Sequence, residues 1–587
     1  MAASEEQIKM AEELLFSGEP KTSFVKRLYF GLFDAHRVFP FPEPPAGEQK
    51  SEEDFIARVR AFAQERVDPD WIDRHATIPN DVVHGLAELG ILGLIIPKEY
   101  GGLGRSYHTY CRTVETLARR CSSTALFVSV HQSIGLKALL LFGTEEQRRR
   151  WLPQMATGKK LSAFSLTEPE AGSDAAGIRT RAVFDPVKNI YRITGQKQWT
   201  TNGSIAGILT VMAKTDMETP DGRREKITAF LVTPDMPGFR VTAPALEKVG
   251  MRGTTTSNLA FDDMEVPAAN VLGTLGAGLK IALTVLDYGR TTFGASCTGA
   301  AKEVLERATS HAQNRHQFGR PLASFALVKR KIATMASLTY AMDAVTQMTA
   351  GMIDRGDDDI MLETAIVKVF SSEALWTIIY EGMQIFGGRS FFPDQPFERM
   401  MRDARLNTIG EGSNEVLRAF IGVVGMRDVG KQLEQLQAAL RHPMQQAIKI
   451  AGLSQSILRR VATTPRVPVQ SRELAGEAEQ LGESTHRFGN SILRLLARHR
   501  EEIVEQQMIL DRVTTIVIAL YTITAVLSKL DLDLSRPGEG NKTLAHDLSA
   551  GKLYCQEAFA SIDRATHLLF QNNDTDVEAV SDQWTGL

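Results

Sequence analysis

A chain of 587 residues with 43% hydrophobic and 23% charged side chains can bury several cores, and at about 150 residues per domain it predicts roughly four domains. Its 67 Lys+Arg against 70 Asp+Glu leave a formal charge of -3, so the global charge offers nucleic acid no attraction and an anionic ligand must be held by local groups. Cys111, Cys121, Cys297 and Cys555 are scattered without a Cys-x-x-Cys pair, which speaks against a disulfide framework and a thiolate zinc site.

Residues 1–16 carry Glu5, Glu6, Glu12 and Glu13, and so read as neither a secretory signal nor a transit peptide. No uninterrupted apolar run approaches the roughly 20 residues that span a bilayer. The expectation is a soluble or peripheral protein of a reducing, cytoplasmic compartment. The proline-rich run RVFPFPEPPAGEQ makes residues 1–50 an extended arm. Apolar and charged residues alternate at three- and four-residue steps in 51–67, 80–92 and 107–121, predicting a helical domain over 51–158. Short β-branched runs at 190–194, 207–215, 227–232 and 258–263 predict a β domain over 159–273. Helical periodicity then returns over 274–427, where Val328, Ile332, Met335, Leu338, Met342, Val345 and Met348 form one apolar stripe. Residues 428–587 read as a further helical extension, broken near 462–471 and 535–541.

Several segments carry chemistry. In FSLTEPEAGSD (164–174) the backbone turns at Pro169, Ala171 and Gly172 while presenting Thr167 and Ser173 hydroxyls, a turn able to hold a polar ring edge and a phosphate. It reads equally as a Ser/Thr-rich turn at a domain junction. In QWTTNG, strand alternation points Trp199 and Thr201 to one face, where an indole covers a flat ring, or simply fills a core. Arg315 and Phe318 stand at i and i+3 near a helix end. Gln384, Gly387 and Gly388 end an apolar helix, suiting close ligand approach or a helix stop. Glu411 stands between Gly410 and Gly412, so a substrate can approach a carboxylate whose partial desolvation favours a general base. The same carboxylate would complement the positive end of the following helix, which Ser413 and Asn414 are placed to cap. In the tail, Ile448, Ile450, Leu453, Ile457, Leu458 and Val461 alternate with Lys449, Arg459 and Arg460, a pattern that suits membrane contact or packing.

Taken in order, FSLTEPEAGSD, GQKQWTTNG, KVGMRGTTTSNLAFDDMEVPAANVLG, NRHQFGRPL, QIFGGRSF and EGSNEVLR resemble the acyl-CoA dehydrogenase family. VFPFPEP, HQSIGLKALLLFGT and the long helical tail resemble its very-long-chain branch. The resemblance implies an α+β fold: N-terminal helices, a middle β domain, a helical bundle and an additional C-terminal helical domain, assembled as a homodimer. It implies FAD as cofactor, bound by Phe164, Leu166, Thr167, Gly172, Ser173, Trp199, Thr200 and Thr201. Arg315, Phe318, Gln384, Gly387 and Gly388 would contact the partner subunit's FAD, and Ser413, Asn414 and Glu415 would touch the adenosine side of the cofactor.

Ser173, Asp287, Arg290, Gly410 and Gly412 would contact the acyl-CoA. Glu411 would take the α-proton in forming a 2-enoyl-CoA, while the thioester oxygen bonds its backbone N–H and a flavin ribityl hydroxyl. The alternative base position, just before Arg290, is Gly289. Two positions depart from the family pattern: Ala326 replaces a flavin-contacting glutamine, as in the very-long-chain branch, and Gly410 replaces an aromatic ring, widening the pocket. Electron-transfer flavoprotein is the implied acceptor. An acyl-CoA oxidase and an assembly or scaffold protein are the alternatives.

Overall fold

The computed structural model describes residues 23–44, 47–219, 222–357, 359–441, 446–536 and 541–586. The readings made on residues 1–22 lie outside them. Two compact units result, one built from Pro44–Lys331 and Ser371–Ser413, the other from Lys21–Glu43, Ile332–Phe370 and Asn414–Leu587.

The first unit opens with helices Gln49–Arg66, Pro69–His75, Asn80–Glu88 and Tyr107–Arg120. Their ends follow local chemistry. Asp68 caps Pro69–His75 by accepting from the Asp70 and Trp71 N–H groups, with Pro at the first helical position, and a Thr144–Gln147 capping box starts Glu145–Ala156. Between them runs one apolar helical stretch, Ser122–Phe142, whose middle, Val130–Leu136, is π-helical.

An eight-stranded sheet follows: β1 (Leu161–Ser165), β2 (Arg181–Asp185), β3 (Ile190–Thr201), β4 (Ala206–Thr219), β5 (Gly222–Val232), β6 (Phe239–Ala243), β7 (Thr256–Pro267) and β8 (Val271–Leu272). Its order is β6-β7-β3-β2-β4-β5-β8, with β1 parallel to β4 and Phe164 opposite Thr210. Ile193, Leu209, Val211, Phe230, Leu259, Phe261 and Met264 form its core. The unit closes with the long helix Gly278–Asn314 and the helix Phe397–Asn407.

The second unit is helical, with Asn414–Leu440, Ala447–Ala462, Ala475–His499, Gln507–Ser535, Asn541–Leu568 and Asp574–Thr585. The stripe expected along Ala326–Arg355 is confined to its start. Positions 339–352 are buried on every side, as befits a helix at the centre of a bundle.

Ser122–Phe142 and Gln507–Ser535 are long and apolar enough to cross a membrane, but 78% and 89% of their apolar windows are buried inside the fold, which marks them as core helices. In the tail, Arg460 is not on a solvated face. Its guanidinium lies over the Phe30 ring at 4.9 Å and donates to Gln432, so burial pushes it below its ordinary pKa. Leu458, 67% exposed, and Arg459 do face outward. The side chains of Ile448, Lys449 and Ile450 lie outside the described residues.

Candidate active site

The carboxylate of Glu411 lies over a gap in the long helix. A Cβ placed on Gly289 would stand 2.9 Å from Glu411 Oε2, 3.3 Å from its Cδ and 3.0 Å from Ile134 Cγ2. Position 289 must therefore lack a side chain for the carboxylate to sit where it does, with Oε2 buried. Sequence reading noted only that Gly289 carries no rival base; the structure shows that it makes room for Glu411.

The Glu411 backbone adopts φ 60°, a left-handed conformation unusual for a side-chain-bearing residue. Such a conformation costs on the order of 1–3 kcal/mol and persists where its surroundings hold it. One such restraint is Arg290, whose Nε donates to the Glu411 carbonyl at 3.4 Å while its guanidinium is fixed by Asp287 Oδ1 at 2.9 Å. Both residues are buried. Burial, with a smaller contribution from the Glu411 charge, pushes the Tyr110 phenol up and keeps it neutral. Gly410 is not forced by the backbone: nothing lies closer than 3.6 Å to an added Cβ, so its lack of a ring leaves space.

The helix before this loop is clamped to the segment 249–251. Asp403, buried, accepts the Met251 N–H at 2.5 Å, and burial pushes its carboxyl up to about 6. Arg402 holds Asp73 through paired contacts of 2.6 and 3.0 Å and donates to the Val249 carbonyl at 2.8 Å.

The motifs read as flavin-facing meet where β1 runs out beside β3. Gln198 N–H donates to Thr167 O at 2.9 Å, Ser165 Oγ lies 2.9 Å from Thr200 Oγ1, and the bridge between Glu168 and Ala171 closes a turn that Gly172 and Ser173 follow. Beneath it lies an ion pair that sequence reasoning missed. Lys197 Nζ, fully buried, contacts Glu168 Oε1 at 2.6 Å and donates to Leu166 O at 2.9 Å. Burial pushes Lys197 down to about 8. Glu168 is held below the carboxylate range, since Lys197 and the Thr180 and Arg179 N–H groups outweigh the effect of burial. A lysine inside an otherwise alternating strand was the signal.

The alternation of β3 is interrupted between Lys197 and Thr200. Lys197 pairs with Leu259 and Thr200 with Ser257, so three steps along β3 face two along β7, a bulge in which Trp199 takes φ 56°. Thr200, buried, takes the next place on Lys197's face, and Trp199, 62% exposed, is turned out of the sheet. Arg315 and Phe318 also lose their helical spacing. The helix stops at Asn314, and a hairpin pairing His316–Gln317 with Arg320–Pro321 puts Phe318 at its tip with φ 51°, 94% exposed. Arg315 and Arg389 both lie near His311, which burial and these two charges push down and which stacks on Phe386 at 4.1 Å. Phe386 leads into the Gly387–Gly388 turn, where added Cβ atoms would meet nothing within 4 Å. Gln384 is exposed on the same helix end. Asn414 and Glu415 open a helix of the second unit, where Asn414 accepts from buried Lys368 at 2.8 Å and Glu415 is exposed.

The first unit's residues fit FAD. An exposed indole suits a flat ring, hydroxyls at Thr167, Thr201 and Ser173 suit its polar edge, and Gly172, with no atom within 4 Å of an added Cβ, leaves room for a phosphate.

Comparison with known proteins agrees along the chain. Residues 49–159, 163–264 and 276–425 match the N-terminal, middle and C-terminal domains of acyl-CoA dehydrogenase, and 472–584 matches the ACAD9/ACADV C-terminal domain. The very long-chain specific acyl-CoA dehydrogenase of Macaca fascicularis mitochondria is 35% identical over 566 residues, 94% of this chain and 86% of the relative. The probable acyl-CoA dehydrogenase FadE10 of Mycobacterium tuberculosis is 35% identical over 605 residues, 99% and 92% of the two chains. The structure of a Bacillus anthracis acyl-CoA dehydrogenase complexed with FAD superposes with a TM-score of 0.77 at 28% identity, covering 92% of each chain. With its ordered motifs, its helix, sheet and helix architecture and relatives matched nearly end to end, this chain belongs to the acyl-CoA dehydrogenase family.

Proposed function

We propose that this protein removes hydrogen from C2 and C3 of a fatty acyl-CoA of long or very long chain, giving the trans-2-enoyl-CoA of β-oxidation, with Glu411 as the base for the C2 proton. The observation that carries this is the Glu411 carboxylate seated over side-chain-free Gly289. Its loop carbonyl is held by Arg290, itself anchored by Asp287. Bound FAD supplies an acceptor for the C3 hydrogen as hydride. Phe164, Leu166, Thr167, Gly172, Ser173, Trp199, Thr200 and Thr201 hold it, while Asp287, Arg290, Gly410 and Gly412 line the substrate's approach.

The chain's own contributions are specific. Glu411 receives a proton at its carboxylate, and its backbone N–H is offered to the thioester oxygen, where charge develops as that proton leaves. Ile134 sets an apolar wall at the same gap as the carboxylate. The space left at Gly410 favours bulky or long acyl chains.

A homodimer is supported by the exposed line Trp376, Tyr380 and Gln384 on helix Met361–Phe386, one helical turn apart, and by exposed Phe318, Phe391 and Phe392. Sedimentation equilibrium tests it. Electron-transfer flavoprotein as acceptor is tested by flavin reoxidation with that protein against oxygen. Peripheral membrane contact through Leu458 and its neighbours is tested by liposome flotation.

The deciding experiment is anaerobic bleaching of the bound flavin by palmitoyl-CoA. The parent protein bleaches, and Glu411→Gln stays yellow and folded without bleaching. Bleaching at the parent rate in the variant would remove Glu411 from this role.

A further inference from the structure

The HQSIG segment has no part in the chemistry described so far, although the helix around it departs from α geometry at this point. Val130–Leu136 is π-helical, a form that inserts one extra residue into the turn and re-aims the side chains after it. Something must hold so unfavourable a turn, and its contacts are unusually directional.

His131, with no exposed surface, bridges two elements. Its Nε2 lies 3.1 Å from the Leu92 carbonyl and its Nδ1 lies 3.0 Å from the Ser162 backbone nitrogen on β1. The Ser162 N–H fixes Nδ1 as the acceptor, so Nε2 carries the proton and donates to Leu92. Ser162 Oγ donates back to the His131 carbonyl at 2.7 Å. The approach is so close that a Cβ on Gly135 would fall 2.2 Å from Ser162 Oγ. Burial pushes His131 down to about 4, so the imidazole stays neutral at working pH and keeps this donor and acceptor pattern.

The two things tied together here are the two sides of the reaction. Three residues beyond His131 on the same π turn, Ile134 lies against the gap at Gly289, within about the same distance of it as the Glu411 carboxylate. Two residues beyond Ser162 stands Phe164, and the strand then leads into Leu166 and Thr167.

We infer that His131 is a positioning residue for the proposed dehydrogenation: by clamping the π turn to β1 it sets the spacing between the wall that seats Glu411 and the strand that carries the flavin-facing residues. It touches neither reactant. The inference rests on the proposed function and refines it. Its acceptor atom, Nδ1, is the one that reaches β1, so an asparagine, whose amide oxygen takes nearly the same place, retains the clamp, whereas alanine does not.

The test is the rate of anaerobic flavin reduction by palmitoyl-CoA, expressed per bound flavin, in full-length His131→Ala and His131→Asn proteins beside the parent. The expected result is a fall of about ten- to a hundredfold in His131→Ala, with kcat and kcat/KM lowered together, and recovery to within about fivefold of the parent in His131→Asn. A merely structural histidine would lower melting temperature and flavin content while leaving the rate per flavin unchanged. A His131→Ala rate within twofold of the parent overturns the inference. If the parent itself is not bleached, the proposed function has failed instead. Should both histidine variants fail to fold, Ser162→Ala, which removes the Oγ contacts to the His131 carbonyl and Nδ1 but keeps the backbone N–H bond, decides: a three- to tenfold loss per flavin supports the clamp and a parent-like rate overturns it.

Discussion

Replacing Gly289 with alanine adds one methyl group at the point where Glu411, Ile134 and the long helix meet. That carbon would lie 2.9 Å from Glu411 Oε2 and 3.0 Å from Ile134 Cγ2. An ordinary carbon–oxygen contact is about 3.3–3.6 Å, so the carboxylate must retreat by roughly 0.5 Å. Both neighbours are side-chain ends and can yield, so the backbone need not move. Overpacking costs about 1–3 kcal/mol, partly offset by about 0.5–1 kcal/mol because alanine suits a helix interior better than glycine. The protein should therefore fold and bind flavin. Since a displacement near 1 Å costs about a hundredfold in rate, half of that predicts roughly a tenfold slower proton removal. Stopped-flow bleaching by palmitoyl-CoA measures it, with flavin content as the control. A parent-like rate in Gly289→Ala would refute the placement of the carboxylate over this gap.

Glu411→Gln should lose about 10²–10⁴-fold in reduction rate with its flavin spectrum retained, which single-turnover bleaching checks. Glu363 accepts the Val25 N–H at 2.9 Å while fully buried, and burial pushes it from an ordinary 4.5 up to about 7. The stability contributed by its protonated form is present below about pH 4.5 and is lost as pH rises through about 7. Glu363→Gln, which keeps the acceptor oxygen, should therefore stabilise the protein by roughly 2–3 kcal/mol at pH 8 and by little at pH 5, read from melting at both values. Lys197→Met leaves the Glu168 carboxylate buried without its cation and should cost about 3–5 kcal/mol and much of the bound flavin, as absorbance at constant protein will show. The double variant Lys197→Met, Glu168→Gln should recover part of that loss.

Much of this was legible in the chain, for reasons visible in particular residues. The period of the early helices and the β-branched runs gave elements whose edges shifted by a few residues: 51–67 became Gln49–Arg66, and 190–194 proved to be the start of Ile190–Thr201. Glu411 stood out because glycines flank it. Its left-handed backbone and its seat over Gly289 could not, because they arise between segments more than a hundred residues apart. The bulge before Thr200 was not legible, because strand period assumes none and nothing in QWTTNG announces one. The amphipathic spacing around Arg460 left membrane contact and packing open, because a sequence shows spacing but not the Phe30 ring that receives the guanidinium. His131 looked like part of a helix, and only its two long-range partners reveal what it joins.

The helix Gln507–Ser535 has a consequence for how the protein is made. Some of its neighbours within the second unit come from far earlier in the chain: Tyr521 packs against Phe24 and its hydroxyl lies 2.8 Å from Thr349 Oγ1, and Ser528 Oγ donates to a carbonyl, that of Val38, 490 residues away. Synthesis must therefore pass this helix before the unit can close, and the earlier pieces wait on the ribosome without their partner. When the partner emerges, it is a greasy rod that satisfies the length and hydropathy of a membrane span. Nascent chains stalled just short of residue 507 should need chaperone cover, and shortened proteins ending there should aggregate, however complete their catalytic half.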